Sequence, residues 1–353
     1  MAWKKTFATF LALSICAVAT SCGGSSTAST TSSGAVSSTA PADSSSSVPA
    51  YPAKAMEFIA PAGAGGGWDT TIRAVAKVLK DTKLVSVAMP VTNKPGGGGS
   101  VNLAYMDEKK GSDTIISVYS PPLILNNLNG TTPLNYKDNT TPLAALITDY
   151  GCFLVGKNSP YQTINDVMDA LKKDIKSVKL GGASSAGSMD HLQFLKVAKA
   201  AGVEHSEQID YVSFQDGSAT AMLLGGHFDV LTSGVADSIG LVESGDLRVL
   251  AITSDERIGT GTIATFPTCK EQGIDATFYN WRGLFGTAGM PDYAKDFWVD
   301  ALSKMVEAPE WKAECEKYGW DQKFMTGDAF MKFLDERNEE YKELLDSVGM
   351  LKA

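Results

Sequence analysis

Histidine is nearly absent from this chain. His191, His205 and His227 are the three it has in 353 residues, and no two stand at HxxxH or HxH spacing. A histidine-built zinc site is therefore excluded, and the three read as surface or structural side chains. Cysteine is hardly commoner, with five residues and no CxxC pair, which removes a zinc ribbon and a disulfide framework together. Positive charge is short as well. The chain has 31 Lys and Arg against 40 Asp and Glu, and no basic cluster or basic–aromatic stripe, the reverse of a nucleic-acid binder. Past residue 21 no apolar run approaches the roughly 20 residues of a membrane span. Glycine is plentiful at 34 residues, yet the motifs that turn glycine loops into phosphate or nucleophile sites are missing. GxxxxGK[ST] occurs nowhere. The stretch 63-GAGGGW-68 lacks the last glycine of GxGxxG and has no acidic partner at the expected distance. GxSxG fails around Ser184 and Ser185, and no nucleophile–base–orienter set can be assembled. An acidic protein that binds an anion must do so by local backbone geometry, not by its overall field.

The N-terminus is written for export. Lys4 and Lys5 precede an apolar run from Phe7 to Ala19, then small residues and Cys22, the order of a signal peptide over residues 1–21. Cleavage before Cys22 would leave the N-terminal cysteine that bacterial lipoproteins acylate, although Ala19 stands where such signals usually carry a large aliphatic residue. The alternative is ordinary secretion with Cys22 incidental. Losing Lys4 and Lys5 takes the formal charge from −9 to −11. Of residues 23–50, fifteen of 28 are Ser or Thr and Asp43 is the one charge. That composition cannot bury enough apolar surface to offset chain entropy, so it predicts a tether, with an r.m.s. reach of roughly 30 Å. Cys152, Cys269 and Cys315 then remain, read as buried free thiols, with one disulfide left open.

About 300 residues from Tyr51 onward exceed one ordinary core and predict two lobes. AMEFIA, KLVSVAM and DTIISVY read as strands, separated by helices over 70–80 and 101–110. GCFLVG, SVKLGG, QIDYV, FDVLTS and LRVLAIT continue the series with helices between them. Strands alternating with helices predict an α/β protein with largely parallel sheets. After Phe285 the pattern turns helical over 291–307, 309–318 and 327–348, the last ending before Gly349 as a C-cap. A proline- and asparagine-rich connection spans 120–143 and marks a lobe boundary. The expected division is lobe 1 from 51–148 plus 255–353 and lobe 2 from 149–254. Two crossings between them would suit a cleft that closes by hinge motion.

Three segments share one design: a strand end, a glycine-rich turn and a helix. They are 63-GAGGGWDT-70, 92-TNKPGGGGSVN-102 and 183-ASSAGSMDH-191. Each places free N–H groups and the positive end of a helix dipole at a strand's C-terminal edge, where ligands sit in open α/β sheets. Asp69 and Asp190 complicate this, since a carboxylate in a first helical turn satisfies the dipole itself. Either they cap their helices and point away, or one receives a cationic group on the ligand, as a zwitterion would provide. Asp69 and Arg73, four residues apart, suit a helix-face ion pair. Trp68 either walls the cleft or packs on the neighbouring lobe, and Arg282 either reaches a carboxylate or sits on a lobe surface.

The order of 60-APAGAGGGWDT-70, 93-NKPGGGGS-100, 134-LNYKD-138 and 181-GGASSAGS-188 resembles the extracytoplasmic receptors of tripartite tricarboxylate transporters, the Bug or TctC-type family. So do 225-GGHFDV-230, 245-GDLRVLAITSDER-257, 266-FPTCKEQG-273 and 281-WRGLF-285. The resemblance runs from Met56 to about Trp320. It implies a type II periplasmic-binding-protein fold, two α/β lobes around a ligand cleft joined by two hinge crossings. It implies a small carboxylate ligand, held by Gly65, Gly66, Gly67, Trp68 and Asp69 on one side and by Ser184, Ser185, Gly187 and Ser188 on the other. It implies a lipid-anchored monomer that delivers its ligand to membrane permease subunits, with no cofactor, metal or catalytic residue. Two other readings stay open: an exported hydrolase using Ser184 or Ser185 as nucleophile, and a carboxylate-sensing module for a signalling receptor.

Overall fold

The first strand, β1 (Glu57–Ala60), is followed by α1 (Gly67–Asp81), β2 (Val91–Asn93), α2 (Ser100–Glu108) and β3 (Ile115–Tyr119). The computed structural model describes residues 51–214 and 217–352, so the expected signal peptide, Cys22 and the expected Ser/Thr-rich tether lie outside the described residues. Next come α3 (Pro122–Leu128), α4 (Tyr136–Asn139) and the long β4 (Thr140–Gly156). The middle of the chain forms α5 (Ile164–Lys173), β5 (Lys179–Gly182), α6 (Met189–Ala200), β6 (Asp210–Ser213), α7 (Ala219–Leu224), β7 (Val230–Gly234), α8 (Val235–Glu243) and β8 (Leu247–Ile252). The chain closes with β9 (Tyr279–Thr287), α9 (Asp292–Glu307), α10 (Pro309–Tyr318), β10 (Asp321–Thr326) and α11 (Gly327–Ser347).

The strands run in the order β2-β1-β3-β9-β4-β7-β5-β6, with β8 and β10 also pairing with β4. Two α/β lobes share that one strand. The first half of β4, up to Tyr150, pairs with β9 and β10; from Gly151 onward it pairs with β7 and β8. The return passage lies beside it, where Thr253 donates its N–H to Gly151 and Gly151 donates to the Thr253 hydroxyl. One lobe is filled by Phe58, Val75, Val78, Val118, Leu284, Trp298 and Trp311. The other buries Cys152, Leu154, Phe228, Leu231 and Phe266. A further cluster runs beneath both, joining Tyr119, Leu125 and α11's Tyr341 and Leu345 to Phe153, Leu192 and Phe194.

Four details differ from the sequence expectation. The sheets are mixed, not largely parallel: β1 pairs in parallel with β2 and β3, and β5 with β6 and β7, but β4 and β9 are antiparallel to every neighbour. KLVSVAM is not a strand. Phe58 N–H donates to Pro90 O, but Pro90 has no N–H to return, and the ladder begins at Val91. The segment 120–143 is structured, because Pro122 opens α3 at its first turn and β4 starts at Thr140. Within β4, Pro142 sits at a register shift, where a missing donor is tolerated. The half-exposed β10 was not foreseen, since DQKFMT lacks a strong alternating pattern. Gly349, at φ +66°, closes α11 as expected, and Cys152, Cys269 and Cys315 are buried free thiols.

Candidate functional site

One cavity of about 190 Å³ lies where the three glycine turns meet. The first turn is held from behind by Asp69, the third residue of α1. Its Oδ2 accepts the Gly65 N–H at 2.9 Å, and its Oδ1 accepts Arg73 Nε and Asn93 Nδ2, each at 2.8 Å. Burial pushes the Asp69 carboxyl up, but the bonds from Arg73, Gly65 and Asn93 outweigh it and hold the pKa below the usual range. Gly66, Gly67 and Trp68 line the cavity; Gly65 and Asp69 do not. Asp69 therefore braces the turn before α1 and lies away from the cavity, and Arg73 is its helix-face partner. Trp68 walls the cleft with its indole fixed at both ends. Nε1 donates to Ser120 Oγ at 2.9 Å, and the ring meets Tyr119 edge-on.

The second turn contributes Pro95, Gly96 and Gly98. Gly96 to Gly99 all take positive φ, a path open to glycine and rarely to other residues. It lets the chain fold tightly against the Trp68 ring, which an added Cβ at Gly99 would meet at 3.1 Å.

The third turn is organised by Asp190, whose Oδ2 accepts the N–H groups of Ala183 and Ser184 at 2.9 and 2.8 Å. Ser184 Oγ in turn accepts the Asp190 N–H at 2.8 Å. Burial lifts the Asp190 pKa to about 6 against the pull of those bonds. Ala183, Ser184, Met189 and Asp190 line the cavity. Gly187 faces backward, donating its N–H to His191 Nδ1 and accepting from Asn129 Nδ2, both at 3.1 Å. Ser188 is fully buried beside it. Ser185 stands at the meeting of the second and third turns, since a Cβ at Gly98 would lie 3.3 Å from its Oγ.

The floor comes from the strands that cross between the lobes. Along β9 alternate residues face opposite ways: Trp281 enters the core and donates to Tyr341 OH, while Asn280 and Arg282 face the cavity. Arg282 is 2 % exposed, so it is no lobe-surface residue. Its guanidinium bonds Asp149 Oδ2 at 2.6 Å, Gly67 O at 3.0 Å and Thr71 Oγ1 at 2.8 Å. A buried guanidinium requires such a partner. Burial raises the Asp149 pKa while Arg282 and the N–H groups of Tyr150 and Ala236 draw it down. Gly67 is obligatory here for steric reasons: a Cβ would lie 2.4 Å from Arg282 Nη2. Asp237, in the first turn of α8, reaches across from the second lobe and accepts the Gly67 N–H. Burial lifts its pKa to about 7, opposed by Arg282 and reinforced by Asp149 and Asp190.

Pro95, Gly96 and Gly98 belong to the second turn singled out in the sequence without being named as ligand residues; Ser120, Ser233, Asp237 and Asn280 were not picked out from the sequence. Asp237 did carry a signal, because 230-VLTSGVAD-237 repeats the strand, glycine and first-turn aspartate of the other turns. No group of His, Cys, Asp and Glu among the described residues is placed to hold a metal ion. Ser184, with its Oγ engaged by Asp190, has no histidine bonded to it, and His191 is a buried imidazole whose pKa burial lowers to about 4.

A family profile described as "Tripartite tricarboxylate transporter family receptor" matches residues 72–350. The chain is 24% identical over 310 residues to the UPF0065 protein in the gbd 5' region of Cupriavidus necator, covering 86% of this chain and 90% of that one. Its fold is similar to an R. palustris protein solved with adipate, with a TM-score of 0.77 at 17% identity over 85% of this chain and 98% of that one. It is also similar to MatC from Rhodopseudomonas palustris with bound malate, with a TM-score of 0.70 at 17% identity over 84% and 100%.

Proposed function

The chain belongs to the tripartite tricarboxylate transporter receptor family, and from that premise we propose that it captures a small carboxylate outside the cytoplasm and delivers it to membrane permease subunits. As a transporter receptor it is a binding protein and not a hydrolase. The observation that carries the ligand class is the convergence of helix starts from both lobes on one cavity. Gly67 and Trp68 of α1 and Met189 of α6 line it together with Ser120, Ser184 and Ser233. First-turn N–H groups have no acceptor within their helix and favour an anion. Of these, Gly67 already bonds Asp237 and Asp190 bonds Ser184 Oγ, so the helix dipoles and the remaining first-turn groups favour the carboxylate. The family fold solved with adipate and with malate supports the same class. At about 190 Å³ the cavity lies below the roughly 300–1,000 Å³ of drug-sized sites, so the ligand is small.

In this reading 51–148 with 255–353 forms one jaw and 149–254 the other. Gly66, Gly67, Trp68 and Ser184 touch the ligand, while Gly65, Asp69, Ser185, Gly187 and Ser188 shape the turns around it. Cys22 carries the lipid anchor, the Ser/Thr-rich tether spans to a monomeric receptor, and no helix among the described residues is long and apolar enough to cross a membrane. The test is thermal unfolding against a panel of mono-, di- and tricarboxylates. A specific ligand at 100 times its Kd stabilises by about 2.7 kcal/mol. A panel in which none raises the Tm would defeat the reading.

A further inference from the structure

The cavity is lined by hydrogen-bond acceptors that lack partners, while most of the donors expected for an anion are already engaged. Arg282 is the one cationic side chain among the described lining residues, and its guanidinium is already engaged by Asp149, Gly67 O and Thr71. Several amides expected to greet an anion are likewise taken: Gly65 by Asp69, Ala183 and Ser184 by Asp190, and Gly67 by Asp237. Against these stand two acceptors without partners. Asp237 Oδ1 and Asn280 Oδ1 are both buried with no hydrogen bond among the described residues, and both residues line the cavity. Asn280 is 2 % exposed, and a buried amide oxygen left unpaired is costly unless a ligand completes it. Charge points the same way. One guanidinium faces Asp149 directly, so ionised Asp237 has no cation within ion-pairing distance.

We propose that the ligand is a zwitterion, a carboxylate that also carries a protonated amine, and that Asp237 and Asn280 receive the amine. This rests on the carboxylate reading above and narrows it. The carboxylate lies at the helix starts of α1 and α6, and the ammonium at the acceptor floor, where it supplies the positive charge that Arg282 has spent on Asp149. A charge-assisted bond to a buried carboxylate is worth about 10- to 100-fold in affinity.

The experiment titrates the full chain at pH 8 with matched compounds: glutarate and glutamate, 4-methylpentanoate and leucine, butanoate and 4-aminobutanoate, and butylamine alone. The expected result is that at least one amino acid binds 10-fold or more tightly than its amine-free partner. Asp237→Asn removes that preference and Asp237→Glu retains part of it. Thermal unfolding of each variant without ligand separates lost recognition from lost folding. If the amine-free acids bind as tightly as their partners, or the preference survives Asp237→Asn, the zwitterion proposal fails while the carboxylate reading stands. That outcome includes the case in which a protonated Asp237 donates to a second carboxylate. If butylamine binds as well as the amino acids, the amine site stands and the carboxylate reading falls. If nothing in the panel binds, both fall.

Discussion

At the residue scale the site turns on Gly67 and Asp237, which meet across the two lobes. Gly67 has no room for a methyl group, because Arg282 Nη2 would lie 2.4 Å from it, whereas a Cβ at Gly66 would find nothing nearer than Gly63 O at 3.5 Å. Gly67→Ala is expected to destabilise by about 2 kcal/mol or more, an overpacking cost. Gly66→Ala is expected to change stability by less than about 0.5 kcal/mol. Urea unfolding of the pair checks this, and equal losses would refute the steric argument. Asp237 makes a pH prediction. Its folded pKa of about 7 lies above the unfolded value near 3.9, so between those limits the folded state holds a proton that the unfolded chain has released. Its contribution to stability is complete below about pH 4 and is lost as pH rises through about 7. In the ligand-free protein, Asp237→Asn should therefore match the wild type near pH 4 and exceed it at pH 8 by about 4 kcal/mol. Tm curves that run parallel across that range would contradict the assignment.

The elements show why much of the fold was legible and the floor of the site was not. Amphipathic and capped segments declared themselves. The helix expected over 309–318 is α10 (Pro309–Tyr318), opened by proline and closed by a left-handed Gly319. The glycine turns were readable because their conformations demand the residue. Gly96, at φ +131° with a Cβ position only 2.8 Å from Val101 Cγ2, admits nothing larger. Gly96→Ala should cost about 1–3 kcal/mol and weaken ligand binding with it, since Gly96 lines the cavity. A variant that binds normally with an unchanged Tm would show that the turn is replaceable. By contrast, β4 hides its first half behind Pro142 and reads as a loop. Pairing of Asp149 with Arg282 joins positions 133 apart in sequence, a relation that no local pattern records. Asp69 and Asp190 were visible but ambiguous: three-dimensional partners hold Asp69 behind its turn, whereas Asp190 both holds its turn and lines the cavity.

For the whole molecule, the shared strand β4 and the neighbouring Gly151–Thr253 bonds make the two passages between lobes adjacent. The floor residues Asn280 and Arg282, and Asp149 that holds Arg282, lie on β4 and β9 beside those passages. Asp237, on α8, bonds the start of α1 in the other lobe. Asp237, Asn280 and Arg282 thus line the cavity and lie at the junction of the lobes, which is the arrangement expected if binding is coupled to closure. Helix α11 packs on both lobes from behind, and Lys196 of α6 lies 3.4 Å from its Glu340. That ion pair is partly exposed, so it steers little of the energy; the buried Tyr341 and Leu345 contacts carry more.

Calorimetric titration of the full-length protein with small carboxylates tests the central claim most directly. The account predicts that at least one binds with a stoichiometry of one. It also predicts that Gly66→Leu, which adds bulk to the cavity wall where Gly66→Ala is tolerated, abolishes the heat while the Tm stays within a few degrees of the wild type. Titrations with no heat from any carboxylate, or binding that is unchanged in Gly66→Leu, would contradict it.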